Sequence, residues 1–302
     1  KLIDPKSKTY DEVAFHYYLQ FHLDKQLKGA GDYARSKGVV LKGDIPIGIY
    51  RYSADAWVAP ELYNMNGQAG APPDDFATEG QNWGFPTYDW DEMAKTDYQW
   101  WKQRFTQLSR YFDAFRIDHI LGFFRIWETP IDQIEGIMGR FNPALPVQLD
   151  EFYQRGIYFD FDRFCRPYIT TELVHEIFGE DAAYVMDNFL EVFYNRLKLK
   201  DHYATQRQIR ALLSPADQHL EKRLFSLVSN VLFFEVEGSH GSQFHPRIDM
   251  QKTWSFRLLD SYTQGQLTDV YNDYFYRRQE EFWRERGMTK LPAMKEATNM
   301  LI

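Results

Sequence analysis

At 302 residues, with 43 acidic against 35 basic side chains, a net charge of −8 and a pI near 5.5, the chain argues against nucleic acid or an anionic membrane as partner. No apolar run approaches membrane-spanning length, and the opening "KLIDPKSKTYDEVAFHYYL" lacks a signal-peptide core. The single cysteine, Cys165, excludes an internal disulfide, fits a reducing cytoplasm, and has no Cys or His neighbours at zinc spacing, so it reads as an inert core thiol.

In chain order, residues 11 to 36 read as a helix, with Phe15, Leu19, Leu23, Leu27, Ala30 and Ala34 recurring every three or four positions. "GVVLKGDIPIGIY" follows as a short strand with Pro46 near its end. Residues 64 to 86, rich in Gly and Pro, read as a long irregular loop of the kind that carries function. Helix returns over 91 to 112 on Tyr98, Trp101, Phe105, Leu108 and Phe112, and "FDAFRIDHI" reads as a buried strand. Strand, loop, helix and strand in this order make a βαβ crossover in a parallel sheet. Beyond residue 130 helical spacing dominates, over 171–178, 183–197, 204–213, 217–229 and 267–286. One strand-like run, "VLFFEVEG", interrupts it, and "TNMLI" from 298 reads as a further strand beginning. The middle of the chain therefore looks like a large helical insertion between core strands. A start at Lys1 and a stop inside an apolar run read as a piece of a longer polypeptide.

Two acids lie inside strand-like runs, Asp44 in "KGDIPIG" and Asp118 in "FRIDHI". Acids are poor strand formers, so each needs a reason to be there. Arg116 and Asp118, two apart, share a face of the strand. Either the two form a structural ion pair, or Arg116 keeps Asp118 ionised as a nucleophile. His119 points the other way unless the strand ends there. The 20 Tyr, 24 Phe and 8 Trp can fill a core and leave rings for a cleft, and flat rings suit the C–H faces of sugars. Asp160 and Asp162 lack the further oxygen ligands of a calcium loop, so no metal is expected.

"KGDIPIG", "SADAW", "APPDDFATEGQNWGFPTYDW" and "FRIDHILGF" occur in an order and spacing that resemble the amylomaltases, the 4-alpha-glucanotransferases of glycoside hydrolase family 77. "FDFDRFCRPYI" and the stretch from "YFYRRQEEFW" onward resemble the long-insert subgroup that includes the plant cytosolic disproportionating enzyme. The resemblance implies an α/β fold: part of a (β/α)8 TIM barrel, about strands 3 to 5, over residues 1–130. A mostly helical insertion would fill 131–296, and the next barrel strand would begin over 297–302. It implies a cytoplasmic enzyme without cofactor, acting on maltose or another α-1,4-glucan with a glycan acceptor. Asp118 maps onto the nucleophile of the "RIDH" motif, which forms a covalent glycosyl-enzyme while a second carboxylate serves as acid and then base. Arg116 and His119 map onto sugar-binding residues, Asp44 onto an acid at a strand end, and Phe76, Gln81 and Trp83 onto a loop that closes over the glucan.

Two positions depart from the pattern: Asp75 stands where a tyrosine is frequent, and Phe85 where an asparagine is. No preference for long linear glucans is therefore carried over, and the subgroup favours maltose as donor and a larger glycan as acceptor. The family's acid/base glutamate lies in a "GEDLG"-like motif that no glutamate from 130 onward matches, and Glu128 in "WETP" matches another position. The isolated chain is accordingly expected to be inactive, and sheet edges left by a half barrel favour dimers or swapping. The competing functions are a carbohydrate-binding relative without catalysis and an α-amylase-type hydrolase.

Overall fold

The computed structural model describes residues 4–301, so Ile302, the last residue of the strand expected from 298, lies outside the described residues. The chain divides into two compact units of mixed helix and strand. The first comprises Lys1–Ile47, Trp90–Ile120 and Met288–Ile302, and the second Gly48–Asp89 and Leu121–Gly287.

In the first unit the helix Tyr10–Ser36 forms as its periodicity predicts. Its stripe of Phe15, Leu19, Leu23 and Leu27 is exposed, however, and Gly31 is its buried contact. A Cβ on Gly31 would stand 3.0 Å from the Tyr111 carbonyl, so glycine sets how closely the helix approaches. The strand Lys42–Ile45 pairs in parallel with Ala114–Ile117, as a βαβ crossover requires, and Ala114 bridges in parallel to Leu301. The helix expected over 91–112 is two, Trp90–Ala94 and Gln99–Leu108. Asp97 and Tyr98 between them adopt positive φ (51° and 55°), which a right-handed helix cannot continue through. The break lets Trp90 stack on Trp101, with ring centroids 6.1 Å apart at 16°. Phe105 then packs on Phe115 of the strand at 5.1 Å.

The second unit corrects the expected loop at 64–86. Gly67–Ala71 is a buried strand in a four-stranded antiparallel sheet, ordered Gln81–Asn82, Gly67–Ala71, Ile126–Pro130, Arg140–Asn142. Glycine permits it: a Cβ on Gly70 would sit 1.9 Å from the Gln81 carbonyl oxygen. Residues that signal a loop by composition here allow two backbones to close on each other.

The region read as insertion carries two apolar clusters. One is built on the helices Thr171–Phe178, Ala182–Phe189, Gln206–Leu212 and Glu221–Val228. The other is built around Phe152, Phe159, Phe233 and Phe244. Thr170 caps the first helix on Leu173 N, and Gly179 (φ 56°) ends it. The helix expected to run on to 197 stops at Phe189, and Leu190–Phe193 folds back on Arg196–Leu199 as a hairpin with Tyr194 at φ 54°. The helix expected over 267–286 is Ser261–Tyr276 followed by Glu280–Lys295. The break lets buried Gln279 bond both backbone groups of Leu145 at 2.8 Å. "VLFFEVEG" contains the strand Phe233–Glu235, paired with Gln243–Pro246.

One buried polar side chain pins two parts of this unit together. Gln206, fully buried, accepts from Ile134 N (2.9 Å) and Glu135 N (2.8 Å) and donates to Glu135 Oε2 (2.8 Å). An unmade buried hydrogen bond costs roughly 1–3 kcal/mol. Gln206→Leu is therefore expected to lower unfolding stability by about 2–4 kcal/mol, read from the urea midpoint. An unchanged midpoint would show that the Ile134–Glu135 turn is held by something else.

Candidate functional site

The parallel register sets Lys42, Gly43, Asp44 and Ile45 beside Ala114, Phe115, Arg116 and Ile117. Asp44 and Arg116 therefore stand side by side on neighbouring strands. The guanidinium grips Asp44 with both edges, Nε to Oδ1 at 3.0 Å and Nη2 to Oδ2 at 2.5 Å. Nη2 is also 3.6 Å from Asp118 Oδ1. Of the two acids, Asp44 is thus the closer partner of Arg116, whereas the sequence spacing pointed only to Asp118. All three side chains are more than half exposed, so water screens the cluster.

The strand ends at Ile117, and Asp118 N still donates to the Ile45 carbonyl at 3.1 Å. His119 then adopts φ 54°, which reverses the chain and releases its side chain from strand alternation. Burial holds the His119 imidazole below its ordinary pKa, with the Asp118 charge opposing. The Arg116 hydrogen bond, with its charge, holds Asp44 below the usual carboxylate range and raises Arg116 in turn.

In the second unit, Asp74 Oδ1 accepts from the backbone of Phe76 (2.8 Å) and Ala77 (2.7 Å), an Asx turn that projects Phe76 fully into solvent. Trp83, about one-third exposed, donates from its indole to Gln81 Oε1 at 3.0 Å and stacks on Phe85 at 5.8 Å. Phe85 lies on Gly48, where a Cβ would meet its ring at 2.3 Å. Asp44, Arg116, Asp118 and His119 thus gather in the first unit, and Phe76, Gln81 and Trp83 share one loop in the second.

Other acids resolve into structure. Glu128 is buried in the antiparallel sheet, accepting from Thr87 and, at 2.9 Å, from Asn142. Asp160 caps a short helix on Arg163 N, and Asp162 pairs with Arg166 at 2.8 Å. Burial pushes the Cys165 thiol up, as an inert thiol requires. Among the described residues, no group of three or more His, Cys, Asp or Glu could hold a metal ion, and no helix is long and apolar enough to cross a membrane.

Sequence reasoning missed a polar cavity of about 600 Å³ in the second unit, lined by Glu79, Glu135 and Arg247 among others. No local signal marks these residues, which come from three separated stretches. Burial, reinforced by Glu79, pushes the Glu135 carboxyl up to about 7.

The sequence matches the 4-alpha-glucanotransferase family, glycoside hydrolase family 77, over residues 1–300. The chain belongs to this family. It is 42% identical over 311 aligned residues to the 4-alpha-glucanotransferase DPE2 of Oryza sativa subsp. japonica, covering 100% of this chain and 33% of that protein. A 4-alpha-glucanotransferase of Chlamydia pneumoniae is 44% identical over 124 residues, 41% of this chain and 24% of that protein. Among solved structures, the amylomaltase from Streptococcus agalactiae in complex with acarbose aligns at 26% identity and a TM-score of 0.44, over 58% of this chain and 40% of its own. The chain spans about a third of the length of the rice relative.

Two titrations follow. The Asp44 carboxyl should titrate below the ordinary 3.8 by NMR, because its ionised form is paired; the pairing holds above the unfolded-state pKa and is lost as pH falls through the lowered value. Arg116→Gln should return the midpoint to the ordinary range, and an unmoved midpoint would deny the pairing. Glu135 has the opposite sign: raised from 4.5 to about 7, it weakens the fold as pH climbs across that interval. Glu135→Gln should therefore raise the unfolding free energy at pH 8, read from the urea midpoint, by on the order of 1–2 kcal/mol after solvent screening, and leave it unchanged below pH ~4. Equal gains at both pH values would contradict a buried acid.

Proposed function

We propose that this chain carries the nucleophile side of a retaining 4-alpha-glucanotransferase site that acts on maltose or another α-1,4-glucan. Asp118 attacks the anomeric carbon, the glycosidic C–O bond breaks, and the departing sugar oxygen takes a proton from an acid. A hydroxyl of the acceptor glycan then attacks the glycosyl-Asp118 ester and gives its proton to the same group, now a base, which restores the original anomeric configuration. The observation that carries this reading is the Asp44–Arg116–Asp118 arrangement in a chain of this family. Because Asp44 holds both edges of the guanidinium, Arg116 lies 3.6 Å from Asp118 without forking onto it. The Asp118 oxygens therefore keep lone pairs for attack.

Arg116 and His119 are assigned to the sugar bound at the nucleophile. Phe76, Gln81 and Trp83 are assigned to glucan binding, with Trp83 the stacking ring. The parallel pairing of Lys42–Ile45, Ala114–Ile117 and Leu301 supports reading these as strands of a (β/α)8 barrel. We assign the acid/base to sequence outside these 302 residues and the protein to the cytoplasm, where a lone cysteine stays reduced.

Incubation with maltose and glycogen tests the reading. A polypeptide that contains this segment and the missing carboxylate should yield glucose and a glucosylated acceptor. Asp118→Asn should reduce transfer by at least ~10³-fold, and the 302-residue chain alone should show none, since loss of acid/base help costs roughly 10²–10⁴-fold. Glucose with no transfer product would favour an α-amylase-type hydrolase, and full activity in Asp118→Asn would remove the nucleophile assignment.

A further inference from the structure

The loop that bears Gln81 and Trp83 is held from two sides within the second unit. On one side the two-residue strand Gln81–Asn82 pairs with Gly70 and Ala71, and Trp83 N donates to the Ala69 carbonyl at 2.8 Å. On the other lies the turn 134–137. Ile137 N donates to the Glu79 carbonyl at 2.7 Å, and Asn82 Nδ2 donates to the Ile134 carbonyl at 3.1 Å. The two segments cross at glycine, since a Cβ on Gly136 would stand 2.6 Å from Gln81 N. At so close an approach, a shift of the turn is a shift of the loop.

Neutral side chains fix the turn from behind. Trp127 Nε1 donates to the Gly136 carbonyl at 2.7 Å, and Gln206 Oε1 accepts from Ile134 N and Glu135 N. Glu135 is the turn's ionisable side chain, and its Oε2 accepts from Gln206 Nε2 at 2.8 Å. It lines the cavity of about 600 Å³ together with Glu79, the loop residue whose carbonyl the turn binds. Two carboxylates thus share one cavity at the point where loop and turn are joined.

The charges around them set the balance. Burial and the Glu79 charge oppose ionisation of Glu135, while Lys222 and Arg210 favour it, from the helices Glu221–Val228 and Gln206–Leu212. Arg210 is committed to Glu221 by two bonds of 2.9 Å. Arg247 spends its Nη1 on the carbonyls of Ile248 and Asp249, and Lys252 pairs with Asp249 at 3.0 Å. Asp74 and Asp75 add two further acids to the lining. Lys222 is left as the main counter-charge, and Glu135 holds its proton up to about 7. Above that it carries a like charge toward Glu79.

We propose that Glu135 is a positioning residue for the loop of Gln81 and Trp83: protonated, it leaves loop and turn docked, and ionised, it repels Glu79 and loosens them. The loop's hold on substrate is then pH-dependent, a consequence that rests on the glucan-binding assignment above; the coupling of loop to turn does not. Fluorine NMR of the chain labelled with fluorotryptophan tests it, with the Trp83 signal identified by its loss in Trp83→Phe. That signal should shift or broaden as pH rises, with a midpoint of about 7. Glu135→Gln should abolish the titration and keep the signal at its low-pH position. Glu79→Gln should lower the midpoint, because a like charge is gone. Glu135→Gln removes a buried charge and Glu79 is exposed, so both variants are expected to fold. A Trp83 signal that stays flat over about pH 5–9, or that titrates unchanged in Glu135→Gln, would overturn the proposal. In a polypeptide competent for transfer, KM for maltose should rise over the same interval with kcat little changed, and Glu135→Gln should keep KM low. A flat KM beside a titrating Trp83 would instead strike the assignment of this loop to glucan and leave the coupling standing.

Discussion

The register between two short parallel strands is the constraint on which the candidate site depends. With Lys42 beside Ala114, Asp44 falls beside Arg116 and can take both edges of its guanidinium. A slip by one residue would turn Asp44 to the opposite face and leave Arg116 free to fork onto Asp118. Asp118 would then be held by a two-edged pair rather than by a single contact at 3.6 Å. Glycine helps hold the register: a Cβ on Gly43 would press to 2.7 Å from the Phe112 ring.

The second unit solves a different problem, the burial of polar groups within a region of two apolar clusters. Gln206 satisfies two backbone donors and one carboxylate oxygen at once, so the turn bearing Glu135 is ordered without an ion pair. Arg207 adds a bond to Gln68 at 2.6 Å, and Gln68 binds the carbonyls of Pro130 and Gln133. Such networks are worth keeping only when nearly complete. Arg247 Nε and Thr129 Oγ1, two buried groups of this unit with no hydrogen-bond partner, stay outside this one.

Much of the layout was legible in the chain. The helices Tyr10–Ser36, Thr171–Phe178, Gln206–Leu212 and Glu221–Val228 follow from the periodicity of their apolar residues. The misread stretches share one cause. At 64–86, glycines that look like loop signals are the residues that let strands close together. At 97–98, 194 and 277, a helical spacing of apolar residues runs across a break that the spacing itself does not mark. Local pattern reports the periodicity of apolar residues; it does not report which contacts interrupt it.

The sequence by itself determined the family, through motifs whose residues are adjacent in the chain, and with it the identity of Asp118 as the acid to examine. Adjacency also placed Asp118 two residues from Arg116 on one strand. Only the tertiary structure decided that Asp44, 72 residues away, is the acid that holds that arginine, and only it assembled Glu79, Glu135 and Arg247 around one cavity. The reason is physical: strand register and cavity walls are set by packing between distant segments, and no short stretch of chain carries that information.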